Sequence, residues 1–382
     1  MKPSAQRISK GLFYLALLPL TLGLCAWQGW AWWSWAIAPS ALEVPSGAAS
    51  PASPTIRLEI PQGTPSQQIG RDLEAAGLIR SASAWNLWSR LLTMRKKQGG
   101  FQAGTYEFST TQSLPEIAAQ IWAGQVVYSS FTIPEGWSLQ QMAAYFEAQS
   151  FFKAQDFLAA TRKIPQSQYP WLPANLPHLE GFLYPDTYQL QGDKITPQEV
   201  IQQMLNRFEQ VALPVYQKSQ GQPSQQQKPL SLLEWVTLAS IVEKEAVIPS
   251  ERSRISGVFT QRLKLGMTLG SDPTVEYGLG VQQTPDQPLT LAQVNTASPY
   301  NTYINPGLPP TPIASPGLAS LEATLAPEKT DYLYFVARYD GTHVFSRTLE
   351  EHEAAQITIQ DQQAARRKAE TAPTASPVPS KL

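Results

Sequence analysis

The stretch Ser231-Leu-Leu-Glu-Trp-Val-Thr-Leu-Ala-Ser-Ile-Val-Glu-Lys-Glu-Ala246 carries the strongest helical pattern in the chain. Ser231 followed three residues later by Glu234 is a capping box. Apolar residues run around most of the circumference, so the helix is expected to be largely buried. Its last turn carries two carboxylates, Glu243 and Glu245. At about 100° per residue, Glu245 shares a face with Leu238, Ile241 and Val242, while Glu243 points roughly the opposite way. A carboxyl among such neighbours loses solvation, which raises its pKa. The negative end of the helix dipole acts in the same direction. A glutamic acid so placed stays protonated near neutral pH and can serve as a general acid. Glu243-Lys244-Glu245 also reads as a plain solvated helix end, and the pattern by itself leaves both readings open.

Downstream, the chain turns at Pro249-Ser250-Glu251 and enters an amphipathic helix through Ile255, Val258, Phe259, Arg262 and Leu263, stopped by Gly266. Segments dense in turn formers follow: Ser271-Asp272-Pro273-Thr274, Ser298 to Tyr303, and Gly307 to Pro312. Such segments shape clefts rather than cores. Their Asn, Tyr, Ser and Thr side chains suit a sugar, with hydroxyls to bond and ring faces to stack on.

Upstream, Ile56 to Ile60 alternates as a strand, followed by a helix with Ile69, Leu73, Ala76 and Leu78 on one face and a second helix over Trp85 to Leu92. A compact unit comes next: a strand over Gly104 to Phe108, a helix capped by Ser113 and Glu116 and ended by Gly124, and a strand over Val126 to Ile133. These make a small α/β module. Gln217 to Lys228 reads as a surface loop between helices.

At the N-terminus, no charged residue occurs from Leu12 to Leu42, and the run ends in Trp27, Trp30, Trp32, Trp33 and Trp35. About 20 apolar residues suffice to cross a bilayer as a helix. Lys2, Arg7 and Lys10 precede the run, which orients the N-terminus to the cytoplasm, and tryptophans favour the outer interface. A cleaved signal peptide, with Ala36-Ile37-Ala38 as its site, is the other reading. Everything beyond the anchor is expected outside the cytoplasm, where wall polymers rather than nucleotides are the available substrates.

The net charge of −1 offers no basic surface for nucleic acid. The lone Cys25 lies in the apolar run, so the exported part has no disulfide and no thiol nucleophile. His178, His343 and His352 show no ligand spacing for zinc, and no metal is expected. Cofactor-free chemistry by carboxylates or hydroxyls is the class that remains.

Several motifs in their order resemble the endolytic murein transglycosylases of the YceG type: Glu180-Gly-Phe-Leu-Tyr-Pro-Asp-Thr-Tyr188, Ala239-Ser-Ile-Val-Glu-Lys-Glu245, Ser271-Asp-Pro-Thr-Val275 with Tyr277-Gly278, Ser298 to Tyr303, Gly307-Leu-Pro-Pro310, and Tyr332 to Val336. The resemblance spans nearly everything between linker and tail. It implies that Glu245 is the essential acid and that residues 100 to 133 form a LysM-like subdomain. Asp272, Asn301, Tyr303 and Glu180 are the candidate substrate-binding residues, as polar members of matching motifs. No cofactor is implied. Two departures stand out: Gly270 stands where Gln is common, and Glu353 where Asn is common.

The implied reaction is a lytic cut of the MurNAc–GlcNAc bond in nascent peptidoglycan, leaving 1,6-anhydro-MurNAc ends and limiting glycan elongation. A muramidase-like hydrolase, with Asp272 or Glu180 as second carboxylate, and a silent wall-binding scaffold are the alternatives. Partners implied are glycan strands, the plasma membrane and wall synthases, with no nucleic acid. The expected fold class is α+β: residues 1–11 in the cytoplasm, a transmembrane helix over 12–38, a linker over 39–55, an N-terminal lobe with a LysM-like subdomain over 56–135, a mixed α/β catalytic domain over 136–359, and a disordered tail over 360–382. His343 is expected to be a hydrogen-bonded structural residue near a C-terminal strand, and His352 to face solvent.

Overall fold

The computed structural model describes residues 17–41, 55–96, 99–191, 195–221, 229–284, 287–338 and 340–371. The fold is mixed α/β, with helices dominating and three two-stranded sheets among the described residues. Two compact units are present, divided between Ser130 and Phe131, with the segment from Gln189 returning to the first. The boundary expected at 135/136 therefore falls earlier, and the chain rejoins the first unit at Gln189.

In the first unit, α1 (Leu18–Ile37) leads to β1 (Thr55–Ile60), α2 (Ser66–Ala75), α3 (Ala82–Arg95), β2 (Gly104–Ser109) and α4 (Leu114–Ala123). β1 and β2 are antiparallel, with Leu58 opposite Tyr106 and Ile60 opposite Gly104. Tyr106 and Phe108 stack at 5.6 Å over a core of Ile69, Leu73, Trp85, Ile117 and Ile121. Ser113 and Glu116 form the expected capping box, and Gly124 ends α4 in the left-handed conformation.

The strand expected over Val126–Ile133 is shorter, as β3 (Tyr128–Thr132), and does not close the small module. β2 pairs with β1, whereas β3 pairs with β4 (Thr187–Gln191). The bond from Val127 N to Thr105 O, 2.7 Å, ties the start of this run back to β2. Alternation identifies a strand but not its partner.

Among the described residues no helix is long and apolar enough to cross a membrane. α1 has no charged residue, but its C-terminal half is tryptophan-rich, and residues 12–16 of the expected span lie outside the described residues. Most of α1 is exposed, while Ala36 is buried in the lobe core with Trp33 and Ile37 packed against it. The segment read as linker begins tied down rather than free: Ser40 Oγ and Ala41 N both donate to Thr110 O. Its residues 42–54 lie outside the described residues, as do 222–228 of the expected Gln-rich loop.

The second unit contains α5 (Leu139–Ala148), α6 (Ala154–Thr161), α7 (Pro197–Gln220), α8 (Leu232–Glu245), a short 3-10 turn (Pro249–Glu251), α9 (Arg252–Leu265), α10 (Asp272–Leu279), α11 (Leu291–Val294), α12 (Leu318–Leu325), the hairpin β5 (Tyr334–Ala337) and β6 (His343–Ser346), and α13 (Leu349–Thr371). α8 is the buried centre: every residue from Trp235 to Val242 is buried. Ser231 caps it, with Glu234 completing the box. Leu238, Ile241, Val242 and Ala246 share a core with Ile255 and Phe259 of α9, Leu269 and Ile313. Burial of one such large side chain contributes about 1.5–3 kcal/mol. Three or four of them outweigh the roughly 1–3 kcal/mol cost of bringing one neutral polar group in among them.

Polar ties hold α12 and the segment that ends at Ile313 to this helix. Trp235 Nε1 donates to Leu321 O, and Ser240 Oγ accepts from Ile313 N at 3.0 Å. Gly181 has φ +81°, and a Cβ there would collide with the Pro312 ring and lie 2.9 Å from Val236 Cγ1. Only glycine lets the 180–188 motif pass so close to α8.

The tail expected to be disordered from 360 is helical as far as Thr371. Its Ala, Gln, Arg, Lys and Glu residues are good helix formers even without an apolar stripe. Residues 372–382 lie outside the described residues. His343 is buried, with Nδ1 2.7 Å from Glu251 Oε2. His352 is half-buried rather than solvent-facing, stacked at 5.3 Å on Tyr334.

Candidate active site

Glu245 ends α8 half-buried. Its Oε1 accepts a 2.6 Å bond from Ser271 Oγ. Burial pushes its carboxyl up to about 7, and the nearby acids Asp272 and Glu276 push the same way. The Ser271 hydroxyl and Arg262 pull it down, because both favour the charged form. Glu243, on the other side of the helix end, accepts from Gly317 N at 3.1 Å and so satisfies the start of α12.

Ser271 stands at the N-cap of α10, yet its hydroxyl makes no cap bond. It is turned instead onto Glu245. Its placement comes from a network with the 298–306 segment: Gly270 N donates to Thr302 O, Ser271 N to Thr302 Oγ1, and the Thr274 and Thr302 hydroxyls meet at 2.8 Å. Gly270 has φ +59°, and a Cβ there would sit 3.3 Å from Arg262 Nη1 and 3.6 Å from the Tyr303 ring. The glycine at this departure from the usual motif thus lies between the arginine and the tyrosine.

Asp272 opens α10, half-buried, and accepts from Tyr303 Oη at 2.7 Å and from Gln283 Nε2 at 3.3 Å. Tyr303 is 41 % exposed, so this pair faces the open side of the site. Burial, with Asp272 next, holds the Tyr303 hydroxyl well above its usual range. Arg262 is fixed by its donations to Leu333 O, Thr268 O and Leu269 O. Gln283 also lines a cavity of about 490 Å³ with Val281, Gln282, Pro288, Thr290 and Gln293.

The sequence candidates therefore divide. Glu245, Asp272 and Tyr303 come together. Asn301 is 1 % exposed and spends its side chain on the backbone, Nδ2 donating to Val294 O and Thr296 O and Oδ1 accepting from Tyr303 N. It shapes the loop that carries Tyr303 and has no donor left for a ligand. Glu180 is also 1 % exposed, accepting from Leu139 N and from Tyr277 Oη at 3.0 Å. Burial pushes it up to about 8 against those bonds. It closes the start of α5 rather than facing the open side. Ser271, Arg262 and Gln283 were not singled out from sequence. The Ser-Asp-Pro cap pattern marks Ser271 as a helix start, which hides its use on another helix.

The YceG-like family model matches residues 58–358. This chain belongs to the YceG-like family. A Bacillus subtilis (strain 168) relative named endolytic murein transglycosylase is 33% identical over 318 residues, 79% of this chain and 84% of that protein. A relative of the same name from Streptococcus pneumoniae serotype 2 (strain D39) is 31% identical over 328 residues, 78% of this chain but 57% of the longer pneumococcal protein. The crystal structure of a YceG-like protein from Listeria monocytogenes superposes with a TM-score of 0.52 at 33% identity, covering 80% of this chain and 100% of that one. The YceG-like match takes in both units and all residues of the site above.

Proposed function

We propose that this YceG-like chain is an endolytic lytic transglycosylase that cuts the MurNAc–GlcNAc bond of nascent peptidoglycan, with Glu245 as its acid and base. The observation that carries this reading is the Glu245 carboxyl, raised to about 7 among apolar neighbours and held through one oxygen by Ser271. A carboxyl poised near neutrality serves both halves of the reaction. Protonated Glu245 gives its proton to the glycosidic oxygen as the C1–O bond breaks. The resulting carboxylate accepts the proton of the MurNAc 6-hydroxyl, whose oxygen closes on C1. The product is a 1,6-anhydro end and no water is consumed. Ser271 and Arg262 favour the carboxylate formed between the two proton transfers. One carboxyl suffices, unlike the flanking pair of ordinary glycosidases.

Asp272 and Tyr303 present a bonded carboxylate and hydroxyl to the strand, and the Gln-lined cavity beyond Gln283 extends that surface. Residues 100 to 133, LysM-like by resemblance, add strand binding. The charge-free run from Leu12 to Leu42 anchors the chain in the plasma membrane, with residues 1–11 in the cytoplasm and both units outside it. Wall synthases that extrude new strands are the expected neighbours.

The test is incubation of the full chain with uncrosslinked glycan strands and mass spectrometry of the new ends. Anhydro ends, one water lighter than reducing ends, are expected. Reducing ends would turn the assignment to a hydrolase using Asp272 as second carboxylate, and no new ends would leave a binding scaffold.

A further inference from the structure

α3 carries an apolar stripe that the lobe core does not use. Leu87, Leu91 and Met94 are 49%, 38% and 78% exposed. They fall within about 60° of one another on the helix circumference. Trp85 and Ser89, on the opposite face, are buried in the lobe. Arg90 flanks the stripe on one side and Arg95 on the other, Lys96 follows, and α3 has no acidic residue. Both arginines are exposed, while the Lys96 ammonium turns back to lie 5.6 Å over the Trp122 ring of the lobe.

The stripe lies beside α1. Trp33, one turn before the end of α1, meets Trp88 of α3 with ring centroids 6.2 Å apart. Arg80, just before α3, sits 5.6 Å over the Trp35 ring and donates to Trp35 O at 3.4 Å. Ala36 is sealed in the lobe core. α3 is therefore held at the level of the tryptophan cluster of α1, whose Leu18, Leu20, Leu22, Leu24, Trp27 and Trp30 are exposed. Tryptophan marks the lipid–water boundary. An amphipathic helix at that level, apolar on one side with arginines at its flanks, meets the requirements of an interfacial helix. Cations within reach of the headgroups are drawn to anionic lipid.

We propose that α3 lies on an anionic lipid surface, with Leu87, Leu91 and Met94 in the acyl boundary and Arg90 and Arg95 on lipid phosphates. This rests on the anchoring reading given above. It makes the lobe a fixed rider on the bilayer at the end of the anchor rather than a body hung from a linker.

The test uses the full chain with Cys25→Ser and a single bimane label at Leu91→Cys, or at Met94→Cys as a second site, in vesicles of phosphatidylglycerol or of phosphatidylcholine. Flotation with the vesicles reports the anchor separately. The expected result is loss of bimane fluorescence when brominated acyl chains replace ordinary ones, larger in phosphatidylglycerol. Arg90→Glu with Arg95→Glu is expected to abolish that loss without changing flotation. A chain that floats while both labels stay unquenched overturns the proposal and leaves the anchor standing, and a stripe covered by a second copy of the chain would give that result. Equal quenching in the two lipids overturns the anionic contact. A chain that does not float overturns the anchor itself.

Discussion

Ser271 Oγ donates to Glu245 Oε1 across 2.6 Å, joining the N-cap of α10 to the last residue of α8. The bond holds one carboxyl oxygen and leaves the other to carry the working proton. It also favours the ionised form against the burial that raises the group. Ser271→Ala removes that opposition, so the carboxyl rises further. A hydrogen bond to a charged group contributes about 1.5–3 kcal/mol, equivalent to about one to two pKa units. The alkaline limb of the rate profile, followed by anhydro-end formation, is expected to move up by about one unit, with kcat falling about tenfold. An unmoved limb would show that Ser271 does not bear on the acid.

Glu245→Gln keeps the shape but cannot give up or take a proton. Cleavage is expected to fall by at least about 10³-fold, within the range for a lost general acid–base group. Strand binding and the thermal midpoint are expected to stay near wild type, since the amide oxygen of the substituted side chain can still accept from Ser271. Retained cutting would remove Glu245 from the mechanism. In the unmodified chain the rate is expected to fall about tenfold per pH unit above about 7, as the acid loses its proton.

Glu180 predicts a pH dependence of stability rather than of activity. Its carboxyl is raised from 4.5 to about 8 in the folded chain. A raised folded pKa means that the folded state holds the proton more tightly than the unfolded state. The associated stability is complete below about 4.5 and is lost as pH rises to about 8. At about 1.36 kcal/mol per pKa unit the loss is at most about 5 kcal/mol. Urea unfolding at about pH 5 and about pH 8.5 is expected to show a smaller difference for Glu180→Gln than for wild type. An unchanged difference would mean that Glu180 is already ionised at the lower pH.

Gly181→Ala tests the seat of the 180–188 motif. The new methyl would collide with the Pro312 ring and meet Val236 Cγ1 at 2.9 Å, at φ +81°. Overpacking and left-handed strain together cost about 2–5 kcal/mol. A lower midpoint in thermal unfolding checks this, and a neutral substitution would show that the contact relaxes freely.

Local features were legible in the residues themselves. The capping box at Ser231, the burial of α8 and the side on which Glu245 lies all follow from a repeat of about 100° and from polar groups a few positions apart. The same holds for the stop at Gly266 and for the box at Ser113. A motif match carries polar residues forward as candidates without saying whether they face a ligand. Asn301 and Asp272 read alike in sequence, yet one is spent on Val294 and Thr296 carbonyls and the other stands in the site.

The chain alone therefore determined α8, its capping box and the side of the helix on which Glu245 lies, because those depend on neighbours within a few residues. Tertiary structure alone decided that β3 pairs with β4, that Ser271 and Arg262 act on Glu245, and that α1 ends in the lobe core. These contacts join residues many turns apart in the chain, and no local repeat records them. Desolvation and hydrogen bonding depend on which groups the fold brings together, so the working pKa of Glu245 exists only once α8, α9 and α10 have met.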